Sequence, residues 1–315
     1  MAKKKPYRFF LYLLARIAEF FVYVLPRPVA LFLARRGGEL AFRLVARQRR
    51  KILENLNRAF GDEKTEAEIQ HIASRVMSHL AETMVDLIQL PKLSAQKLDE
   101  IVNLSEGLGI LEDLRRKGRG VITLTAHLGN WELLAAGFAM KGLPMSVIAR
   151  RLYYERYNHW IIAKRQSAGL KVLYQEESAK ELLTCLRRNE IIGILPDQDI
   201  DRLPGIFVDF FGHPAYTTVA PVKLALKLRT PIAIGFLIRE PQNRYRLVVG
   251  DILEVEADNT LEDAVREWTL KWTQCFEKFI RQYPEQWVWM HNRWRTQPQT
   301  AVESPVQEKK KAPIS

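Results

Sequence analysis

The stretch Val121-Ile-Thr-Leu-Thr-Ala-His127-Leu-Gly-Asn-Trp-Glu132 decides the architecture. Its apolar, largely β-branched run from Val121 to Ala126 reads as a buried strand, and Trp131-Glu-Leu-Leu-Ala-Ala reads as the start of a helix. Asn130 is a suitable N-cap, which puts Glu132 in the first helical turn. On one continuous helix, residues five apart point roughly 140° away from each other. A strand, a Gly-Asn turn and a helix instead let His127 and Glu132 converge at the carboxyl end of a strand, where open α/β sheets place their chemistry. An imidazole held by a carboxylate has a fixed tautomer and a stabilised protonated form, so it can take a proton from a hydroxyl. No serine or cysteine beside the pair is placed as a nucleophile. The expectation is therefore His127 as base and Glu132 as its partner, acting on a substrate hydroxyl without an acyl-enzyme.

Outward from this segment the chain alternates. Strands are expected at 120–126, 146–150, 171–174, 191–197, 231–238 and 245–251, and helices near 131–142, 155–168, 178–189, 217–229 and 260–282. Upstream, Thr65-Glu-Ala-Glu68 is a capping box opening a helix with apolar Ile69, Ile72, Val76, Leu80, Met84 and Leu87. This pattern implies an α/β fold, a layered and largely parallel sheet flanked by helices, with room for an antiparallel edge. No repeat or internal linker interrupts residues 27–296, which read as one catalytic domain. Residues 297–315 are rich in Pro, Gln and Lys and read as a disordered tail.

The balance of charge is strongly basic, +12 over 315 residues, which calls for nucleic acid, an anionic membrane or a phosphorylated substrate. The N-terminus selects the membrane. Ala2-Lys-Lys-Lys-Pro-Tyr-Arg8 is basic, and Phe9 to Leu25 is almost wholly apolar, with no small-residue cleavage site after it. The run would be about 25 Å long as a helix, against about 30 Å of hydrocarbon. Arg16 and Glu19 interrupt it, so it suits the interface better than a crossing. Residues 1–26 are accordingly expected to be a hydrophobic membrane-anchor helix. Cys185 and Cys275 have neither metal nor redox spacing and suit a reducing compartment. No P-loop, dinucleotide fingerprint or His-Glu-x2-His zinc helix is present, and His71, His79, His159 and His213 read as bystanders. Without an RNA-binding motif, the cluster Trp287, Trp289, His291, Arg293 and Trp294 reads as a packed C-terminal element, and nucleic acid is not an expected partner.

Several blocks, in one order along residues 47–296, carry a family resemblance. His127-Leu-Gly-Asn-Trp-Glu132 resembles the His-x4-Asp/Glu motif of glycerolipid acyltransferases. Its Gly-Asn-Trp-Glu ending looks like the bacterial lipid A biosynthesis (lauroyl/myristoyl) acyltransferases. Arg50-Lys-Ile-Leu-Glu-Asn-Leu-Asn-Arg-Ala-Phe60, Ile194-Leu-Pro-Asp197-Gln198-Asp, Val208-Asp-Phe-Phe-Gly212 and Tyr283-Pro-Glu-Gln-Trp287-Val-Trp289-Met-His291-Asn-Arg-Trp294 resemble further blocks of that family. Arg165-Gln-Ser-Ala-Gly169 matches its Arg-x3-Gly segment, while Tyr153-Tyr154-Glu155-Arg156-Tyr157-Asn158 stands where an Asn-Pro is usual.

The resemblance implies transfer of a fatty acyl group from an acyl carrier protein thioester to a hydroxyl of a lipid A precursor. It implies no metal or bound cofactor, and a place on the cytoplasmic face of a bacterial inner membrane. Another glycolipid, such as a phosphatidylinositol mannoside, is the alternative acceptor; a non-enzymatic basic protein that binds membrane or nucleic acid is the other alternative, against which the intact His127/Glu132 pair argues. Arg165 then becomes a candidate for the oxyanion or a phosphate, as do backbone N–H groups near Gly129-Asn130. Arg150, Asp197 and Gln198 end strands on the rim of His127 and join Asn130 as candidate substrate contacts.

Overall fold

The computed structural model describes residues 7–175, 179–257 and 260–298. The basic Lys3–Lys5 and the tail beyond residue 298 lie outside them. Four helices come first: α1 (Tyr7–Val24), α2 (Arg27–Leu44), α3 (Ala46–Phe60) and α4 (Glu66–Gln89). The alternating part follows as α5 (Ala95–Asp99), β1 (Val102–Asn103), α6 (Ser105–Arg116), β2 (Val121–Leu124), α7 (Trp131–Met140), β3 (Met145–Ala149), α8 (Glu155–Ser167), β4 (Lys171–Tyr174), α9 (Ala179–Arg187) and β5 (Ile191–Ile194). The chain then runs through β6 (Gly205–Phe210), β7 (His213–Thr218), α10 (Ala220–Leu228), β8 (Ile232–Arg239), β9 (Tyr245–Leu253) and α11 (Leu261–Gln282).

One seven-stranded sheet runs in the order β1-β9-β8-β2-β5-β3-β4. β2 sits at its centre, parallel to β5 and β8, with Thr123 opposite both Gly193 and Ala233. Among the described residues of this sheet only the β8–β9 pair is antiparallel, one strand in from the expected edge because the short β1 adds parallel to β9. Alternation along β2 splits two cores. Ile122, Leu124 and Ala126 pack towards α3, α4, α10 and α11, and Val121 packs towards α6 and α7. The antiparallel hairpin β6–β7 was not expected. It occupies residues whose Gly205, Gly212 and Pro214 punctuation reads as loop, and it delays the helix expected from 217 until Ala220. The capping box holds: the Thr65 hydroxyl accepts from the Glu68 N–H, and the Glu68 carboxylate accepts from the Thr65 N–H at 2.8 Å.

The N-terminal segment is a helix, as expected, and it is not a membrane span. Among the described residues no helix is long and apolar enough to cross a membrane. α1 is 18 residues long and carries charge at its middle, where Glu19 is buried and ion-paired to Arg16 and, at 2.9 Å, to Lys164 of α8. Gln89 of α4 donates to the Val22 and Leu25 carbonyls, and Tyr12 packs edge-on against Tyr154 and Tyr157. One side of α1 is thus docked on α4 and α8. The other leaves Phe10, Leu14, Ile17 and Phe21 exposed, and α2 continues this with exposed Phe32, Leu33, Leu40 and Leu44.

Candidate active site

The turn after β2 is fixed by backbone. Gly129 adopts φ +64°, and a Cβ there would lie 2.1 Å from the Leu237 carbonyl oxygen, so only glycine fits this close approach. Its N–H donates to the Gln286 carbonyl, and the Asn130 N–H donates to that of Leu237. Asn130 is fully buried: its Oδ1 caps α7 by accepting from the Leu133 N–H at 2.9 Å, and its Nδ2 donates to Asp86 and the Tyr245 hydroxyl. Asp86 also accepts from Arg27 and Arg239, so the cap is anchored in a buried charged cluster. Asn130 and the two turn N–H groups are therefore committed inside the protein, and the expectation that they meet the substrate or an oxyanion is corrected.

The carboxylate on His127 is also not the expected one. His127 Nδ1 lies 2.8 Å from Asp197 Oδ1, and the His127 N–H donates to Asp197 Oδ2 at 2.8 Å. Trp287 Nε1 donates to the same oxygen at 2.9 Å. Burial alone would raise the Asp197 pKa, but the electrostatic pull and hydrogen bond of His127, with smaller contributions from His291 and the Trp287 N–H, hold it well below the usual carboxylate range. An ionised Asp197 at Nδ1 requires the proton there, which leaves Nε2 as the basic nitrogen.

Glu132 instead grips Arg165. Arg165 Nε donates to Oε2 at 2.9 Å and Nη2 to Oε1 at 2.7 Å, a bidentate fork. Burial pushes the Glu132 carboxyl up, and the Arg165 charge and hydrogen bonds, with smaller help from Trp131 and His127, bring it net below its ordinary value. The fork leaves Arg165 Nη1 without a protein partner among the described residues, on the wall of a cavity.

That cavity has a volume of about 950 Å3 and a mainly apolar lining, and it takes in His127, Glu132, Arg165, Gln198 and, at its exposed rim, Arg150. Such a volume matches sites that enclose a sizeable ligand. Gln198 Nε2 lies 3.3 Å from His127 Nε2 and 3.4 Å from Nδ1, so it sits over the face of the ring and not on a lone pair. It donates to His291 Nε2 at 3.1 Å. Burial, then the His127 charge, press the His291 pKa down to about 4, so it accepts as neutral imidazole at neutral pH. Trp131 packs edge-on against His127 at 4.9 Å on another side.

The structure thus brings together His127, Glu132, Arg165, Asp197 and Gln198, with Arg150 at the mouth and Asn130 behind the wall. Sequence reasoning missed His291 and Trp287 as parts of this site, having assigned them only to packing. The signal was present in the closing block, where Trp287, Trp289 and His291 fall at every second position, and Asn55 of α3 pins that block by donating to the Trp289 and His291 carbonyls.

The chain as a whole is similar to known proteins. The family profile of bacterial lipid A biosynthesis acyltransferases matches residues 2–296. The chain is 26% identical over 280 residues to the lipid A biosynthesis palmitoleoyltransferase of Escherichia coli K12, covering 87% of each chain. It is 24% identical over 283 residues to the lipid A biosynthesis lauroyltransferase of the same organism, covering 87% of this chain and 88% of that one. A phosphatidylinositol mannoside acyltransferase of Mycobacterium tuberculosis H37Rv is 29% identical over 150 residues, 45% of this chain and 46% of its own.

Proposed function

The chain belongs to the bacterial lipid A biosynthesis acyltransferases, an acyltransferase family, and on that premise we propose that it moves a fatty acyl group from an acyl carrier protein thioester to a hydroxyl of a lipid A precursor, late in its acylation. The observation that carries this reading is the His127–Asp197 pair at the wall of a large, mainly apolar cavity. The cavity suits an acyl chain, and the pair suits proton removal from an alcohol.

His127 Nε2 takes the acceptor hydroxyl's proton as the oxygen bonds to the thioester carbonyl carbon. The π pair moves to the carbonyl oxygen, where Arg165 Nη1, held by Glu132, is the candidate donor. Collapse breaks the C–S bond, and the departing sulfur takes the proton from His127. Asp197 stabilises the imidazolium between the two steps.

The exposed apolar faces of α1 and α2, followed by Arg43, Arg47 and Arg50, suit a helix pair lying in the surface of an anionic membrane. We place it on the cytoplasmic face of the inner membrane. A second acceptor class is favoured by one feature, the segment Tyr153–Asn158 that stands where an Asn-Pro is usual; its Asn158, in the first turns of α8, accepts from the Leu152 N–H and donates to the Tyr174 hydroxyl. A glycolipid of the phosphatidylinositol mannoside type is that alternative.

Mass spectrometry of lipid A from cells gaining or losing the protein tests the reading: a shift of one acyl group is expected. Purified His127→Ala should lose turnover by about 10²-fold or more. An unchanged lipid A profile would move the acceptor to another glycolipid, and an active His127→Ala protein would end the base mechanism.

A further inference from the structure

Lys223 and Lys227 stand one turn apart on α10, both exposed, and both line the catalytic cavity. Like charges at this spacing repel and weaken a helix slightly. Neither lysine has a carboxylate or a hydrogen-bond partner among the described residues, so no ion pair there offsets that repulsion. By contrast, Arg295, on the same cavity wall, is tied to Asp201 at 3.0 Å. The lysine pair is a surplus of positive charge at a catalytic opening.

Its place in the fold separates it from the lipid side. α8 forms one wall of the cavity through Ile161, Ile162 and Arg165, and α1 lies against α8 with its apolar outer face exposed. α10 forms a different wall through Val219, Lys223 and Leu224, and packs with α9 and α11 in the core on the opposite face of the sheet from α6 and α7. On the membrane reading above, a membrane-embedded acceptor would approach past α1 and α8. The activated acyl group, carried by a water-soluble protein on a flexible arm, needs an entrance that the membrane does not cover.

We propose that the α10 edge of the cavity is the docking surface for the donor, and that Lys223 and Lys227 receive an acidic face of the carrier protein. This deepens the reading above and rests on its thioester donor. The lysines act on encounter and orientation, so their contribution is electrostatic and falls with ionic strength. The thioester then reaches past Lys223 into the cavity, while the acceptor hydroxyl meets His127 from the α8 side.

The test compares two donors carrying the same acyl group, one on an acidic acyl carrier protein and one on pantetheine, which has neither protein nor phosphate. For the double charge reversal Lys223→Glu/Lys227→Glu, kcat/KM with the carrier donor should fall at least about tenfold further than with acyl-pantetheine. The salt sensitivity of the carrier reaction, present in the wild type, should flatten. Neutral Lys223→Gln/Lys227→Gln should fall between, and an unchanged melting temperature checks the fold. Equal losses with both donors, or a rise confined to the acceptor KM, overturns the docking proposal while leaving acyl transfer intact. A wild type with no preference for the carrier thioester overturns the donor assignment, and the docking site with it.

Discussion

The tautomer of His127 follows from what faces Nδ1: a buried, ionised Asp197 that accepts from the ring, from the His127 N–H and from Trp287. Asp197→Asn keeps the shape but removes the charge that favours the imidazolium, and its amide can present N–H to Nδ1 and reverse the tautomer. Turnover should drop by about 10³-fold or more with the fold intact, in line with the loss of an orienting aspartate in other His-centred sites. Activity within a few-fold of wild type would return the orienting role to Glu132. Sequence spacing pointed to Glu132 because it lies five residues from His127, whereas Asp197 lies 70 away and meets it only through the β2–β5 pairing. Thr125 offers a different kind of test. Its hydroxyl is buried without a hydrogen-bond partner, and such a group costs about 1–3 kcal/mol. Thr125→Val should raise the melting temperature by about 2 °C or more. A fall would mean that the hydroxyl finds a partner in solution.

At the scale of elements, the strands bearing the site were legible because each is a short run of β-branched and aliphatic residues buried on both faces, as in Val121–Leu124 and Ile191–Ile194. The β6–β7 hairpin was not, because its strands carry Gly205 and Pro214 and are stabilised by partners remote in sequence. Arg293 donates to the Tyr216 carbonyl and the Thr217 hydroxyl, and Trp294 to the Phe210 carbonyl. The strand–turn–helix at His127 was read correctly as an element, yet its turn is held by β8 and the Gln286 segment, and a linear reading cannot supply that close approach. Gly129→Ala should therefore cost roughly 2–4 kcal/mol, since backbone must shift to relieve a left-handed residue pressed on a carbonyl. Urea unfolding measures it, and a loss below about 1 kcal/mol would show that the turn adapts.

Across the whole molecule, segments far apart in sequence close on one another around the site. Asn55 and Phe60 of α3 meet the Trp289 region more than 200 residues later, and α4 places Asp86 beneath the α7 cap. The same α4 buries His79 against Glu82, with Arg35, Arg75 and Arg239 nearby. Burial, then Arg239, Arg75 and Arg35, lower the His79 pKa to about 3, and His291 is lowered to about 4, both from an ordinary 6.5. Above pH 6.5 both histidines are neutral folded or unfolded, and they leave stability unchanged. As pH falls below 6.5 the unfolded chain takes up protons that the folded protein refuses, so stability declines until the pH reaches the folded values near 4 and 3. Asp197 and Glu132, depressed by their partners, act in a lower window: they stabilise above their unfolded values near 4 and lose that contribution as pH falls further. The urea midpoint should accordingly begin to fall just below pH 6.5, well before carboxylates titrate, and His79→Gln should flatten the slope between about pH 6.5 and 4. A midpoint that stays level from pH 7.5 to about 4.5 would mean that neither histidine is held neutral by the fold.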